Sequence, residues 1–362
     1  MKITRVRAYP LTSHAVWVEV EAGQVSGFGE CYPNRADWAT RLIADVVNEG
    51  LASALLGQNC EDIDRLWHLC YRKLTPRQGD KGPYMAAISG VDIALWDLVG
   101  KLRGIPVHRM LGGAHHRRIP LYASIGGAAD RELDEYLAEV RAFQERGFTA
   151  FKVRTHWGEH RIDVDPDRDI EVLRAVRAQV GPEAGLGFDA NNGYSPKTAI
   201  AQGNRTADLR LFHFEEPIAH HDFAGLAEVA RAVSVPIAAG EQEYSRWQFR
   251  DLALRGGVDI LQPDVLKCGG ITELRKILYL ADILGKTIVP HQNQATVGLV
   301  ASLTVMSIWP FTLRPQEYLG EQPELEMLLD EPPRIVDGAW QLTDEPGLGL
   351  HVRASALEAA SL

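Results

Sequence analysis

A chain of 362 residues with 46% hydrophobic side chains can bury a large core, and its length is that of about two domains. Its formal net charge of -10 excludes a basic nucleic-acid surface or a cationic membrane face, so an anionic substrate has to be held by local positive charge. Met1 to Arg7 run straight into strand-like alternation, with no apolar leader core and no apolar span of about 18 residues elsewhere, and a cytoplasmic location is the expectation.

The first strands read as Ile3 to Pro10, Ala15 to Val20 and Ser26 to Glu30, and their short connections predict an antiparallel meander. Helical spacing then runs from Trp38 to Leu56 and from Asp62 to Leu74. The strongest helix is Tyr84 to Leu102, with Ala87, Ile88, Val91, Leu95, Leu98 and Val99 on one stripe and Gly104 and Pro106 as its stop. Strands followed by helices make an α+β unit, whose boundary falls near Gly112 and Gly113. Cys31, Cys60, Cys70 and Cys268 have no metal-ligand spacing and read as buried, reduced thiols.

From Ile119 the pattern changes to βα alternation. Strands are expected at Pro120 to Ser124, Ala150 to Arg154 and Gly185 to Asp189, with amphipathic helices such as Leu133 to Arg146 and Asp169 to Val180 between them. Apolar runs then end in single charged or imidazole side chains at Asp189, Glu215, Glu241, Asp264, His291 and Glu317, in steps of 26, 26, 23, 27 and 26 residues. Each step accommodates one strand, one helix and two loops, and a functional side chain at the end of every strand describes a TIM-type barrel with its site at that face. The two-residue period of strands puts Lys152 and Arg154 on one face, and places Asp189 and Asn191 together at the next strand's end. Glu216 should point away from Glu215 unless the strand bends.

Asp189, Glu215 and Glu241 are hard oxygen donors on three successive strand ends, a set suited to Mg²⁺; without a cation, three converging carboxylates would repel each other. A carboxylate beside an imidazole fixes its tautomer and raises its basicity, which makes Asp264 and His291 an acid–base pair. Lys152, inward-facing in an apolar strand, is a costly placement unless it meets an anion. His213 reads as packing near the site, His115, His116, His220 and His221 as surface, and the eight tryptophans as mostly core.

The set Lys152-x-Arg154, Asp189-x-Asn191, Glu215-Glu216-Pro217, Gly240-Glu241, Pro263-Asp264-x-x-Lys267, His291 and Glu317 resembles the enolase superfamily, mandelate racemase subgroup. The similarity extends through Ala87 to Asp97 and Leu111-Gly-Gly to the tail Pro346 to Leu350, so it covers essentially the whole chain. Glu241 as third acid, and Asp264 with His291 where muconate-lactonizing relatives rely on a catalytic Lys, both favour this subgroup. The resemblance implies an α/β protein: a modified (β/α)7β TIM barrel over residues 113–325, an N-terminal α+β capping domain over 1–112, and a C-terminal segment, 326–362, that returns to the cap. The cap's loops around residues 11 to 35, with Trp17, Phe28 and Tyr32, are implied to act as a substrate-selecting lid.

For the site, the resemblance implies Mg²⁺ on Asp189, Glu215 and Glu241. It implies Lys152 at the substrate carboxylate, Asn191 at a substrate hydroxyl or the metal's outer shell, and Glu317 hydrogen-bonded to the carboxylate oxygen where charge develops. His291, oriented by Asp264, is left as general base. One departure bears on the reaction: relatives commonly carry Lys-x-Lys on the second strand, and here the second position is Arg154, always protonated and hence a poor base. A racemase needs a base on each face of the α-carbon, whereas a dehydratase can use one. Tyr122, Ser124, Asn191, Arg154 and His156 near the predicted cup also suit a polyhydroxylated substrate. The expectation is a Mg²⁺-dependent acid-sugar dehydratase acting on an aldonate or aldarate. A racemase, epimerase or lactone cycloisomerase on the same scaffold is the alternative, and a non-catalytic relative a further one. The expected partners are a small anionic polyhydroxylated carboxylate and further copies of the chain, from dimer to octamer, with no nucleic acid and no membrane.

Overall fold

Apolar alternation in the first 31 residues folds into three antiparallel strands, β1 (Arg5–Pro10), β2 (Val16–Ala22) and β3 (Val25–Cys31), in that spatial order. The computed structural model describes residues 1–32, 37–127, 131–155 and 162–362. The helix Pro83–Arg103 packs so closely on β3 that a Cβ at Gly29 would lie 2.0 Å from the Gly90 carbonyl oxygen, and one at Gly27 2.2 Å from that of Ala94. Only glycine permits this approach. The helical region expected from Trp38 is continuous, but Asp37–Asp45 and Ala52–Leu55 are joined by a π-helical stretch, Val46–Leu51. Asn48 within it accepts a hydrogen bond from the Ala8 N–H and donates to the Ala8 carbonyl, satisfying the edge of β1.

Eight parallel strands follow: β4 (Arg118–Gly126), β5 (Ala150–Arg154), β6 (Gly185–Asp189), β7 (Phe214–Glu215), β8 (Ile237–Ala239), β9 (Ile260–Leu261), β10 (Thr287–Ile288) and β11 (Gln316–Tyr318). Each of β4 to β9 pairs with the next, and β11 pairs back onto β4, so the sheet curls into a barrel. Each of its seven connections carries a helix, which makes the architecture (β/α)7β. The hairpin of β12 (Ile335–Val336) and β13 (Ala339–Gln341) adds antiparallel to the start of β4. The chain then runs back to the first sheet, where the Leu362 N–H donates to the Pro10 carbonyl.

The four cysteines are buried and free. Trp17, Trp67, Trp96, Trp309 and Trp340 lie in the core, while Trp38 and Trp247 are exposed. Among the described residues, no helix is long and apolar enough to cross a membrane.

Candidate active site

Strand alternation and the parallel register decide which side chains enter the barrel. Lys152 lies opposite Gly187, Arg154 opposite Asp189, Asp189 opposite Glu215 and Glu215 opposite Ala238. The same parity brings Tyr122, Ala150, Ala238, Ile260 and Val289 together in one closed layer inside the barrel. Tyr122, expected at the substrate, is therefore corrected: it is fully buried in that layer, with its ring 5.5 Å below Lys152 Nζ. Ser124, one layer higher and in register with Lys152, is also fully buried, and its Oγ has no hydrogen-bond partner among the described residues. His156 lies outside the described residues.

Lys152 is the hub of the layer above. Its Nζ stands 2.7 Å from Glu215 Oε1, 2.7 Å from Glu317 Oε1 and 3.5 Å from Asp189 Oδ2. Burial works against its charge, but Glu215 and Glu317 outweigh it and hold the ammonium well above its ordinary proton affinity. Glu215 Oε2 also accepts from Gln262 Nε2 at 2.6 Å and lies 3.1 Å from His213 Nε2. The charge of Lys152, then His213, overcomes burial and keeps the Glu215 carboxyl well below its usual range.

The next residue does bend inward. Glu216 has φ 38°, and its carboxylate is hydrogen-bonded by Asn192 Nδ2 on one oxygen and, among the described residues, buried without a partner on the other. Burial, then Glu241 and Asp189, push its carboxyl well up; burial and Glu215 raise Asp189 to about 8. Among the described residues, no three His, Cys, Asp or Glu side chains close into a finished metal cage. Glu215 is drawn to Lys152, and Glu241 to His291, at 3.2 Å. Asp189, Glu216 and Glu241 crowd together with more carboxylate oxygens than Lys152 and His291 can pair, and hard oxygen donors in such excess fit Mg²⁺.

His291 Nδ1 is 2.8 Å from Asp264 Oδ2, and the other Asp264 oxygen accepts from the Leu266 N–H at 2.7 Å. Burial disfavours the imidazolium, but Glu241, Asp264 and Glu317 raise the His291 pKa to about 10. Glu317 anchors the opposite wall: one oxygen on Lys152, the other accepting from the Gln292 N–H at 3.0 Å. Asn191, at φ 46°, donates its backbone N–H to Asp189 and its side-chain amide to the Thr155 carbonyl. Arg154 donates Nη2 to the Gly126 carbonyl at 3.1 Å, and its guanidinium lies against the Cα of Gly127, where a Cβ would meet Cζ at 3.1 Å.

From the cap, Tyr32 reaches the site, with its ring 6.5 Å from that of His291 and its hydroxyl accepting from Asn293. Trp17 is fully buried inside the cap, and Phe28 packs under Lys101, with its N–H on Asp97. Of the three aromatic lid residues expected, Trp17 and Phe28 therefore serve the cap's own core. Lys267 is the participant whose position the motif did not disclose: its Nζ lies 4.6 Å from the Tyr32 ring centroid.

Residues 8–112 match the mandelate racemase / muconate lactonizing enzyme N-terminal domain, and residues 135–356 the enolase C-terminal domain-like family. A D-galactarolactone cycloisomerase of Agrobacterium fabrum is 33% identical over 353 residues, covering 94% of this chain and 89% of that protein. An arabinonate dehydratase of Saccharolobus solfataricus is 32% identical over 361 residues, covering 99% of this chain and 93% of that protein. A mandelate racemase/muconate lactonizing protein from Paracoccus denitrificans, solved in complex with magnesium, matches with TM-score 0.94 at 37% identity, covering 100% of this chain and 98% of that one. Matched across both domains and along nearly its whole length, the chain belongs to the enolase superfamily, in its mandelate racemase subgroup.

Proposed function

We propose that this protein is a Mg²⁺-dependent dehydratase of an acid sugar, an aldonate or aldarate, releasing water and a 2-keto-3-deoxy acid. The observation that carries this reading is the one-sided base. His291 is oriented by Asp264, whereas the position that would supply a second base is Arg154, turned onto the Gly126 carbonyl. Arabinonate dehydratase among the relatives, and magnesium in the Paracoccus denitrificans structure, agree with it.

Asp189, Glu215 and Glu241 would hold the cation, with Glu216 facing the same charge cluster. When bound, Mg²⁺ supplies Lewis-acid stabilisation to a substrate carboxylate that gains charge as the α-proton leaves. Were Glu241 to serve as a ligand of the cation, it would be drawn from His291 Nε2, which would then be left to the substrate. Nε2 takes the α-proton while Asp264 on Nδ1 holds the tautomer. The ammonium of Lys152 faces the carboxylate oxygens that become an enediolate, and Glu317, which accepts from Lys152 and from the Gln292 N–H, holds that ammonium in place. Collapse of that enediolate forms the C2–C3 double bond and breaks the C3–O bond, and the His291 imidazolium returns its proton to the departing hydroxyl as water. The enol then tautomerises to the ketone.

A screen of aldonates, aldarates and their lactones with Mg²⁺, scored for 2-keto acid and for loss of water by mass, tests this. Turnover of an acid sugar with loss of 18 mass units, the mass of water, is expected; inversion at C2 without elimination would overturn it. The match to a D-galactarolactone cycloisomerase favours one second reading, in which the leaving oxygen belongs to a lactone ring and the product is an isomer of unchanged mass.

A further inference from the structure

The reaction above leaves the buried ammonium of Lys267 unused. Lys267 follows Asp264 by three residues, in a turn closed by its own N–H on the Asp264 carbonyl at 3.0 Å, and its side chain belongs to a residue only 4% exposed. Among the described residues no carboxylate comes within the 4.0 Å of an ion pair, and its acceptor is Gln242 Oε1 at 3.5 Å. The rings of Tyr32 and Tyr244 flank it at 4.6 and 5.3 Å. Cation–π contact offsets part of the desolvation, but an ammonium has three donors, and here they meet one long acceptor. Lys152 is the opposite case, committed to three carboxylates. A buried ammonium with donors to spare is an unfavourable arrangement until an anion arrives.

Its position says which anion. Lys152 stands on β5 and Lys267 just beyond β9, four strands apart in a barrel of eight, so the two ammonium-bearing segments face each other across the mouth. Between them lie the base and the acids: Tyr32 borders both Lys267 and His291, and Gln242, the acceptor for Lys267, donates to Glu241 at 2.8 Å. The reacting carboxylate belongs on the Lys152 side, where Glu317 and the acids of β6 and β7 gather. We propose that Lys267 receives a second anionic group, at the far end of the substrate, so that the site takes a dicarboxylate, an aldarate or its lactone, in preference to a monocarboxylate of the same length. This rests on the acid-sugar reading and narrows it.

The test uses two unreactive six-carbon ligands that differ in one end, adipate and 6-hydroxyhexanoate, titrated calorimetrically into the Mg²⁺-supplemented protein. The wild type should bind adipate roughly 10- to 100-fold more tightly, the range expected for a hydrogen bond to a buried charge. Lys267→Met should erase that difference with the affinity for 6-hydroxyhexanoate unchanged, and Lys267→Arg should retain most of it. Circular dichroism confirms that each variant is folded; should Met not fold, Lys267→Gln takes its place. Equal affinities in the wild type, no measurable adipate binding, or a Met variant that weakens both ligands alike would overturn the proposal, the last by marking Lys267 as a support for Tyr32. Kinetics on aldonate and aldarate pairs of one configuration give the second readout. Failure of every acid sugar to turn over would refute the dehydratase reading instead, and the ligand titrations would still decide the role of Lys267.

Discussion

Replacing His291 by Asn keeps a hydrogen-bonding side chain beside Asp264 but removes the group placed to accept a proton. We expect turnover to fall by roughly 10²- to 10⁴-fold, together with loss of α-proton exchange in D₂O followed by NMR. Wild type should place deuterium at C3 of the keto acid and show no inversion at C2 of recovered substrate. Arg154→Lys should then introduce some C2 inversion, because an amine can lose its proton where a guanidinium cannot; inversion by the unmodified enzyme would refute the one-base assignment. At the metal candidates, chelation should abolish activity and Mg²⁺ restore it. Glu241→Gln should weaken Mg²⁺ binding by roughly 100-fold in a calorimetric titration, since the site loses a charged ligand. Full activity after chelation would sink the metal assignment.

The helix Val297–Met306 begins just past the loop that carries His291, and the cap tethers its first turn. Glu30 of β3, fully buried, accepts the Gly298 N–H at 2.9 Å. Burial, reinforced by the charge of Asp264 against the pull of the Gly298 amide, raises its pKa from 4.5 to about 8. Folded Glu30 thus keeps its proton up to about pH 8, whereas the unfolded chain gives it up near 4.5. Between these values the unfolded state binds fewer protons, so the contribution to stability falls as pH rises and levels off above about 8. Chemical denaturation of wild type and Glu30→Gln should show it: the wild type should lose a few kcal/mol relative to the variant from about pH 5 to about pH 8. A constant difference across that window would mean that Glu30 is ionised in the fold.

Across the whole molecule, cap, barrel and tail share buried hydrogen bonds. Trp67 Nε1 donates to the Gly269 carbonyl at 2.7 Å, Trp96 Nε1 to Thr272 Oγ1 at 2.9 Å, and the Thr272 N–H to Asp92 at 2.9 Å. Asp97 accepts from both Phe28 in the cap and Leu348 in the tail. Parting the units would strand these groups without water or partner, at about 1–3 kcal/mol each. We therefore predict that cap and barrel unfold in one calorimetric transition, and that a chain of residues 113–325 alone is insoluble or inactive. Two separated transitions, or normal turnover by the truncated chain, would refute this.

The sequence by itself determined the barrel, its strand ends and the identity of most residues in the cup. The reason is physical: a βα repeat has a fixed period, and strand alternation assigns each side chain to one face. That is why Lys152, Asp189, Glu215, Glu241, Asp264, His291 and Glu317 could be named from spacing and resemblance, and why His291 meets Asp264. Alternation does not assign depth, however, and Tyr122 shares the inward face of Ser124 yet lies in the closed layer below it. Nor does it foresee a bend, so the turn of Glu216 into the acid cluster came from a backbone φ of 38° at the end of a two-residue strand. Only the tertiary structure decided which cap aromatic reaches the site, and only barrel closure set Lys267 across from Lys152. Those outcomes depend on how segments more than a hundred residues apart dock, and no local pattern encodes that distance.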